Sequence, residues 1–287
     1  MIKWKEIPIK KRKQLFKEKS DGKSLLMKTA MLKDMYKGCE CVCFLAGPSL
    51  CEFDQKDIEK FCEGKVVLSV KTSAQKFKSI TDVCITNHYA TFHFPKDRDY
   101  LVLSRQETPL GYENWINTDL VDLETHSLKF KNEPDILWGS DITARHSMSV
   151  VNANRWEENS LINNPYNRII GPGIMNDMVV PLLVHFGVKK VSFLGWDGAK
   201  ITEDGSIRHF YDIEQQYKPT MNYVSNKFDL NNLKSDTNEC EQKIAQNGED
   251  AVFNFLSSKG VEVDILTNNS TVASRIKRNN VLYGEQL

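Results

Sequence analysis

The stretch Cys41-Val-Cys-Phe-Leu-Ala-Gly-Pro-Ser-Leu50 carries six small or apolar residues directly into Gly47-Pro48-Ser49. A short continuous apolar run closed by a glycine turn reads as a strand buried on both faces of a parallel sheet, because such a strand has no solvated face to alternate with. Asp54 then caps or opens the next segment. Strand, tight glycine turn and helix start form the usual platform for a nucleotide phosphate, since backbone without side chains lets amide N–H groups approach an anion. The same pattern also serves as a plain α/β turn, and these residues alone leave both readings open.

Outward from this stretch the chain repeats the theme. Ile58, Phe61 and Cys62 recur at helical intervals before Gly64, which stops the helix. Val66–Val70, Asp82–Thr86 and Tyr100–Ser104 are further strand-like runs, and the third strand ends at Asn87, His88 and Tyr89. Strands spaced by helical material indicate parallel βαβ units. Residues 105–165 are less periodic and read as an insertion beside the sheet. Order returns at Gly171-Pro-Gly173, a second glycine turn into an apolar helix that Gly187 ends, with Pro181 confined to its first turn or kinking it. Lys190–Asp197 is a buried strand whose carboxyl end presents Trp196 and Asp197 on the same edge as Gly47, Pro48 and Ser49. Residues 198–238 are polar and suit a lid over that edge. A helix over about 239–259, stopped by Gly260, precedes a last strand, Val261–Leu266, and a short helical or irregular tail.

The expected fold is therefore α/β, a Rossmann-like, mostly parallel sheet with helices on both faces and a lid or insertion. Three parts are expected: a basic helical segment at 1–37, the Rossmann-like domain at 38–270 and a tail at 271–287. A chain of 287 residues with 40% hydrophobic content builds one substantial core. Its zero formal net charge argues against a nucleic-acid protein. The charge is uneven, since residues 1–37 hold twelve Lys or Arg against four Asp or Glu. That segment reads as a surface helix packed on the core or as one lying on an anionic membrane. No apolar signal region follows the early lysines and no run is long enough to span a membrane, so the expected place is the cytoplasm, and under the membrane reading of the basic segment it is the inner face of the membrane, peripherally. The seven cysteines lack zinc-type spacing and read as reduced, buried small hydrophobes.

Three segments together, Phe44–Leu50, the Gly171-Pro-Gly173 turn with its helix, and Gly187-Val-Lys-Lys-Val-Ser-Phe-Leu-Gly-Trp-Asp197, resemble the bacterial sialyltransferases of glycosyltransferase family 42 and the related domain of flagellin-glycosylating motility accessory factors. The resemblance covers about residues 40–270. It implies one Rossmann-like domain that transfers sialic acid from a CMP donor to a glycan hydroxyl without metal or other cofactor. It also implies donor contacts at Gly47, Pro48, Ser49 and Asn87. Two departures stand out. The family reads Gly-Asn-Gly-Pro-Ser where this chain has Leu45-Ala46-Gly47-Pro48-Ser49, and the family's general-base histidine before the final helix has no counterpart among Asn238, Glu239, Glu241 and Ile244.

A sugar transfer needs a base for the acceptor proton and donors that stabilise the departing phosphate. His209, beside Arg208 and Tyr211, offers both in one segment and is the catalytic candidate. His88, Gly171, Gly173, Trp196 and Asp197 complete the donor-site candidates. Asp197 has two readings, a group that holds a ribose hydroxyl, a metal or the acceptor, and a strand-end aspartate that caps the next turn. No Asp-x-Asp metal motif stands at a strand end, so the expected site is metal-independent. The expected partners are a nucleotide-sugar donor and a glycan acceptor, with no nucleic acid, and a homo-oligomer is compatible with the sequence. Two rival functions share the fold: an ATP- and Mg²⁺-dependent diphosphokinase with Asp197 on the metal, and a nucleotide-sugar-binding protein without turnover.

Overall fold

The structure is a computed structural model and describes residues 2–23, 25–86, 98–105, 121–122, 127–128, 135–138, 178–197, 209–218, 252–270, 272 and 275–284. Its strands are β1 (Glu40–Phe44), β2 (Val66–Val70), β3 (Val83–Thr86), β4 (Leu101–Arg105), β5 (Val121–Asp122), β6 (Ser127–Leu128), β7 (Ile136–Trp138), β8 (Lys190–Leu194), β9 (Glu262–Ile265) and β10 (Lys277–Arg278). Eight of them form one sheet in the order β10-β9-β8-β1-β2-β3-β4-β7. Every neighbouring pair in it is parallel. The fold is α/β and Rossmann-like.

The pleat of β1 explains its unbroken apolar run. Cys41 and Cys43 face a core with Val66, Leu68, Val191, Phe193, Val263 and Ile265, while Val42 and Phe44 face a second core with Val67, Leu194 and Phe77. Both faces are thus buried, as a central parallel strand requires. The first face is covered by α5 (Val180–Phe186), by the helical residues 252–258 and by α1 (Ile9–Ser20). The second is covered by α3 (Gln55–Phe61), α4 (Ser73–Lys76) and Phe210. Asp54 caps α3 as expected, its Oδ1 accepting from the Lys56 N–H at 2.7 Å. Pro181 lies in the first turn of α5, where its fixed φ suits a helix start.

Two regions differ from the sequence expectation, and the basic segment follows its reading as a helix packed on the core. The insertion at 105–165 supplies β7 at the sheet edge, beside β4. The tail supplies β10, which pairs with β9. The basic segment is built into the core: Trp4, Phe16, Leu32, Met35 and Tyr36 are buried against the first face. The Arg12 guanidinium donates to the carbonyls of Ile7 at 2.8 Å and Met35 at 2.6 Å, and Lys10 reaches the buried Asp82 at 2.7 Å. Among the described residues no helix is long and apolar enough to cross a membrane.

Six of the cysteines are described, all with free thiols, and four of them are buried. Burial pushes the Cys62 and Cys84 thiols up to about 12, which leaves them as inert apolar groups. Cys240 lies outside the described residues.

Candidate functional site

From β1 the chain builds outward through β2, β3, β4 and β7 on one side, then returns to lay β8, β9 and β10 on the other. The order reverses between β1 and β8. Loops leaving two such strands part in opposite directions, and the crevice at their carboxyl ends is where open parallel sheets bind ligands. Gly47-Pro48-Ser49 leaves β1 at this point and Gly195-Trp196-Asp197 leaves β8. Pairing runs on past both strands, with Leu45 N–H donating to Leu194 O at 2.8 Å and Gly47 N–H to Gly195 O at 2.9 Å.

The two loops are then locked by one carboxylate. Asp197 Oδ2 accepts from the Ser49 N–H at 2.8 Å, its Oδ1 accepts from the Ser49 hydroxyl at 2.6 Å, and the Ser49 Oγ accepts from the Gly195 N–H at 2.9 Å. Asp197 is 4% exposed. Burial raises its pKa above the usual carboxylate value, and the two Ser49 bonds oppose that rise. Gly195 has φ +83° and lies against the Leu45 carbonyl, so only glycine fits there. At Gly47 the backbone is ordinary (φ −71°, ψ 159°), and the reason for glycine is space alone. A Cβ there would stand 2.3 Å from Asp197 Oδ2.

The amides of the turn are committed within the protein: Gly47 and Ser49 spend theirs on Gly195 and Asp197, the Leu50 N–H donates to Gly47 O at 3.3 Å, and Pro48 has none. The Ala46 N–H has no partner among the described residues, whereas its carbonyl accepts from Phe210 at 2.9 Å. Of the two readings of Asp197, the structure shows the carboxylate engaged in holding the turn.

The Phe210 bond to Ala46 also brings the catalytic candidates to this edge. Phe210 opens α6 (Phe210–Ile213) and is fully buried, so His209 and Tyr211 on either side of it are carried beside the glycine turn. Their rings stack at 4.6 Å and 8°. Asp212 Oδ2 accepts from the His209 N–H at 2.8 Å and stands 3.7 Å from its Nδ1. Behind them, Lys76 pairs with Glu214 at 2.6 Å, tying the segment to α4. Trp196 sits at the expected strand end, with its ring packed edge-on against Phe193 at 5.0 Å. Arg208, Asn87, His88, Gly171 and Gly173 lie outside the described residues.

No family model matches this chain, and no curated protein matches it. Among solved structures it is similar to the sialyltransferase CstII from Campylobacter jejuni in complex with cytidine-5'-monophosphate, at 14% identity over 86% of this chain and 87% of that one, with a TM-score of 0.42. It is also similar to the sialyltransferase CST-II in complex with trisaccharide acceptor and CMP, at 15% identity over 86% and 89% of the two chains, with a TM-score of 0.40.

Several residues at the edge carry no sequence motif. Lys71, at the end of β2, has φ +55°, an uncommon conformation for a side chain-bearing residue, held by its N–H bond to Ile85 O at 2.9 Å. The next residue, Thr72, is 1% exposed, and its hydroxyl has no hydrogen-bond partner among the described residues. Ser73 bridges back to β1 through Phe44 O at 3.2 Å. On the far side, the Ser270 hydroxyl donates to Trp196 O, and Thr267 and Asn269 donate to Glu52 at 2.7 and 2.9 Å. The only signal for this last group is a polar Thr-Asn-Asn-Ser run after a buried strand. Chemically, the edge supplies a rigid floor, an imidazole 39% exposed and a phenol stacked on it. Among the described residues no group of three or more His, Cys, Asp or Glu is placed to hold a metal ion.

Proposed function

We propose that this chain is a glycosyltransferase of the sialyltransferase-like kind, which moves a sugar from a nucleotide donor, a CMP-linked one, to a glycan hydroxyl in cell-surface glycan synthesis. The observation that carries the reading is the locked glycine turn at the switch point, with His209 and Tyr211 held beside it by the Phe210 to Ala46 bond. The sequence resemblance of Phe44–Leu50 and Gly187–Asp197 to family 42 supplies the substrate class. In this reading His209 takes the acceptor proton, the freed oxygen bonds to the anomeric carbon, and the bond from that carbon to the phosphate oxygen breaks with both electrons leaving on CMP. Tyr211 and Arg208 stabilise the departing phosphate, and the Ala46 N–H is a donor contact at the edge. Asn87, His88, Gly171 and Gly173 remain donor-site candidates.

In the diphosphokinase reading Asp197 would hold Mg²⁺, whereas here its carboxylate is buried and each oxygen accepts a bond from Ser49. The test is thermal shift against CMP, CDP, UDP, GDP and ATP, each with and without Mg²⁺, because a ligand that binds only the folded state raises the melting temperature. A shift with CMP that does not depend on metal is expected, together with loss of turnover but not of the shift in His209→Ala. A shift confined to ATP with Mg²⁺ refutes the reading, and CMP-sugar binding without transfer or hydrolysis leaves a binding protein.

A further inference from the structure

A cleft of about 460 Å³ lies on the side of α4 facing the 3-10 turn Gln215–Tyr217, lined by Gln55, Gln75, Lys78, Ser79, Tyr100 and Tyr217. That volume falls within the roughly 300–1,000 Å³ of small-ligand pockets. Tyr100 is 1% exposed, and the half-buried Tyr217 ring is steadied by Phe210 at 5.8 Å. Gln55 and Ser79 both donate to Glu59 Oε1 at 2.9 Å, so that carboxylate is already occupied. Lys78 is exposed, with no carboxylate at ion-pair distance among the described residues.

A tyrosine ring, side-chain amides and two ammonium groups, of which Lys76 is already paired with Glu214, suit a saccharide. A C–H face of it lies on the Tyr217 ring, its hydroxyls exchange hydrogen bonds with the amides, and a carboxylate on it pairs with Lys78. An apolar ligand would strip water from the glutamines and Lys78 without replacing it. The cleft also shares a wall with the glycine-turn edge. Lys76 lines it, pairs with Glu214, and stands 3.9 Å from the sulfur of Cys51 in the turn Pro48–Cys51.

We propose that this cleft is a glycan subsite that takes a carboxylated saccharide, with Tyr217 as its stacking face and Lys78 as its anion contact. The proposal rests on the glycosyltransferase reading, since it places an acceptor chain next to the donor edge. The test measures binding of 3′-sialyllactose and of lactose, the same disaccharide without the carboxylated sugar, by saturation-transfer NMR, with the CMP thermal shift followed in parallel. Sialyllactose binding is expected to exceed that of lactose by about tenfold, and Lys78→Ala to remove that difference. Tyr217→Ala weakens both sugars, Gln55→Ala weakens both less, and all three variants keep the CMP shift. Sialyllactose binding that is absent, or unchanged in Lys78→Ala and Tyr217→Ala, overturns the subsite. Saccharide binding lost as expected in a protein that ignores CMP keeps the subsite and overturns the donor reading instead.

Discussion

The carboxylate of Asp197 occupies the space that a side chain on Gly47 would fill. A Cβ at Gly47 would meet Asp197 Oδ2 at 2.3 Å and the Gly195 carbonyl oxygen at 2.5 Å. Glycine in one loop and aspartate in the other are thus a single device, although 150 residues of sequence separate them. What the device fixes is the shape of the edge at the sheet's switch point.

Gly47→Ala is therefore expected to destabilise the fold by about 2–3 kcal/mol, as overpacking against backbone does. Replacing Asp197 as well relieves the carboxylate clash but not the one with the Gly195 carbonyl, so Gly47→Ala with Asp197→Ala should recover only part, with a coupling of about 1 kcal/mol. Urea denaturation of the four proteins measures both quantities. A Gly47→Ala midpoint equal to that of the wild type would show that the loops are not held this closely.

The same carboxylate predicts a pH dependence. Burial raises the Asp197 pKa in the folded chain above the ordinary 3.8. The folded state then holds the proton more tightly than the unfolded one, so this contribution to stability is fully present below the unfolded value and is lost as pH rises through the folded one. The stability of the wild type minus that of Asp197→Asn should fall as pH rises from about 4. Ser49→Ala, which removes one of the bonds that lower the pKa, should carry the fall to higher pH. A difference that stays flat with pH would mean that Asp197 titrates normally.

Much of the fold is legible because β1, β2 and β8 are buried on both faces and so read as short, nearly continuous apolar runs, whereas β9 alternates, with Val263 and Ile265 in the first core and Glu262 and Asp264 at the positions between. The edge position of Asp197 and the approach of His209 to it follow from strand polarity and a short polar linker. Strand order is another matter, since nothing local in Lys190–Leu194 says that it returns to the free side of β1. β10 is two polar residues, Lys277 and Arg278, and too short to show a period. The commitment of the turn's amides was hidden too, because it depends on Ser49 meeting Asp197 rather than on the glycine pattern itself.

On the opposite side of the turn, Glu52 joins it to the last strand and the tail. Its Oε2 accepts from Thr267 Oγ1 at 2.7 Å and from the Tyr283 hydroxyl at 3.2 Å, and that hydroxyl accepts from the Asn268 N–H at 3.1 Å. The Tyr283 ring packs edge-on against Phe53 at 4.9 Å. Because the cluster is exposed, Tyr283→Phe is expected to lose only about 0.5–1 kcal/mol and Glu52→Ala about 1–2 kcal/mol. The two losses should fall short of additive when combined, since they share a bond. Full additivity in thermal melts would mean that the tail does not brace the turn.

The basic segment gives the last test, because its cations face inward as well as out. Asp82 is fully buried and accepts from Lys10 at 2.7 Å and from the Val67 N–H at 3.0 Å, with Lys13 at 3.6 Å. Removing both cations strands a buried carboxylate, so Lys10→Met with Lys13→Met should lose about 3 kcal/mol, and adding Asp82→Asn should restore part of it. Deleting residues 1–37 removes Phe16, Leu32, Met35 and Tyr36 from the core in addition, and the shortened chain is expected to lose its cooperative melt. Calorimetry decides the matter: a truncated chain that still melts cooperatively near the wild-type temperature would make the first two helices an appendage rather than a wall of the core.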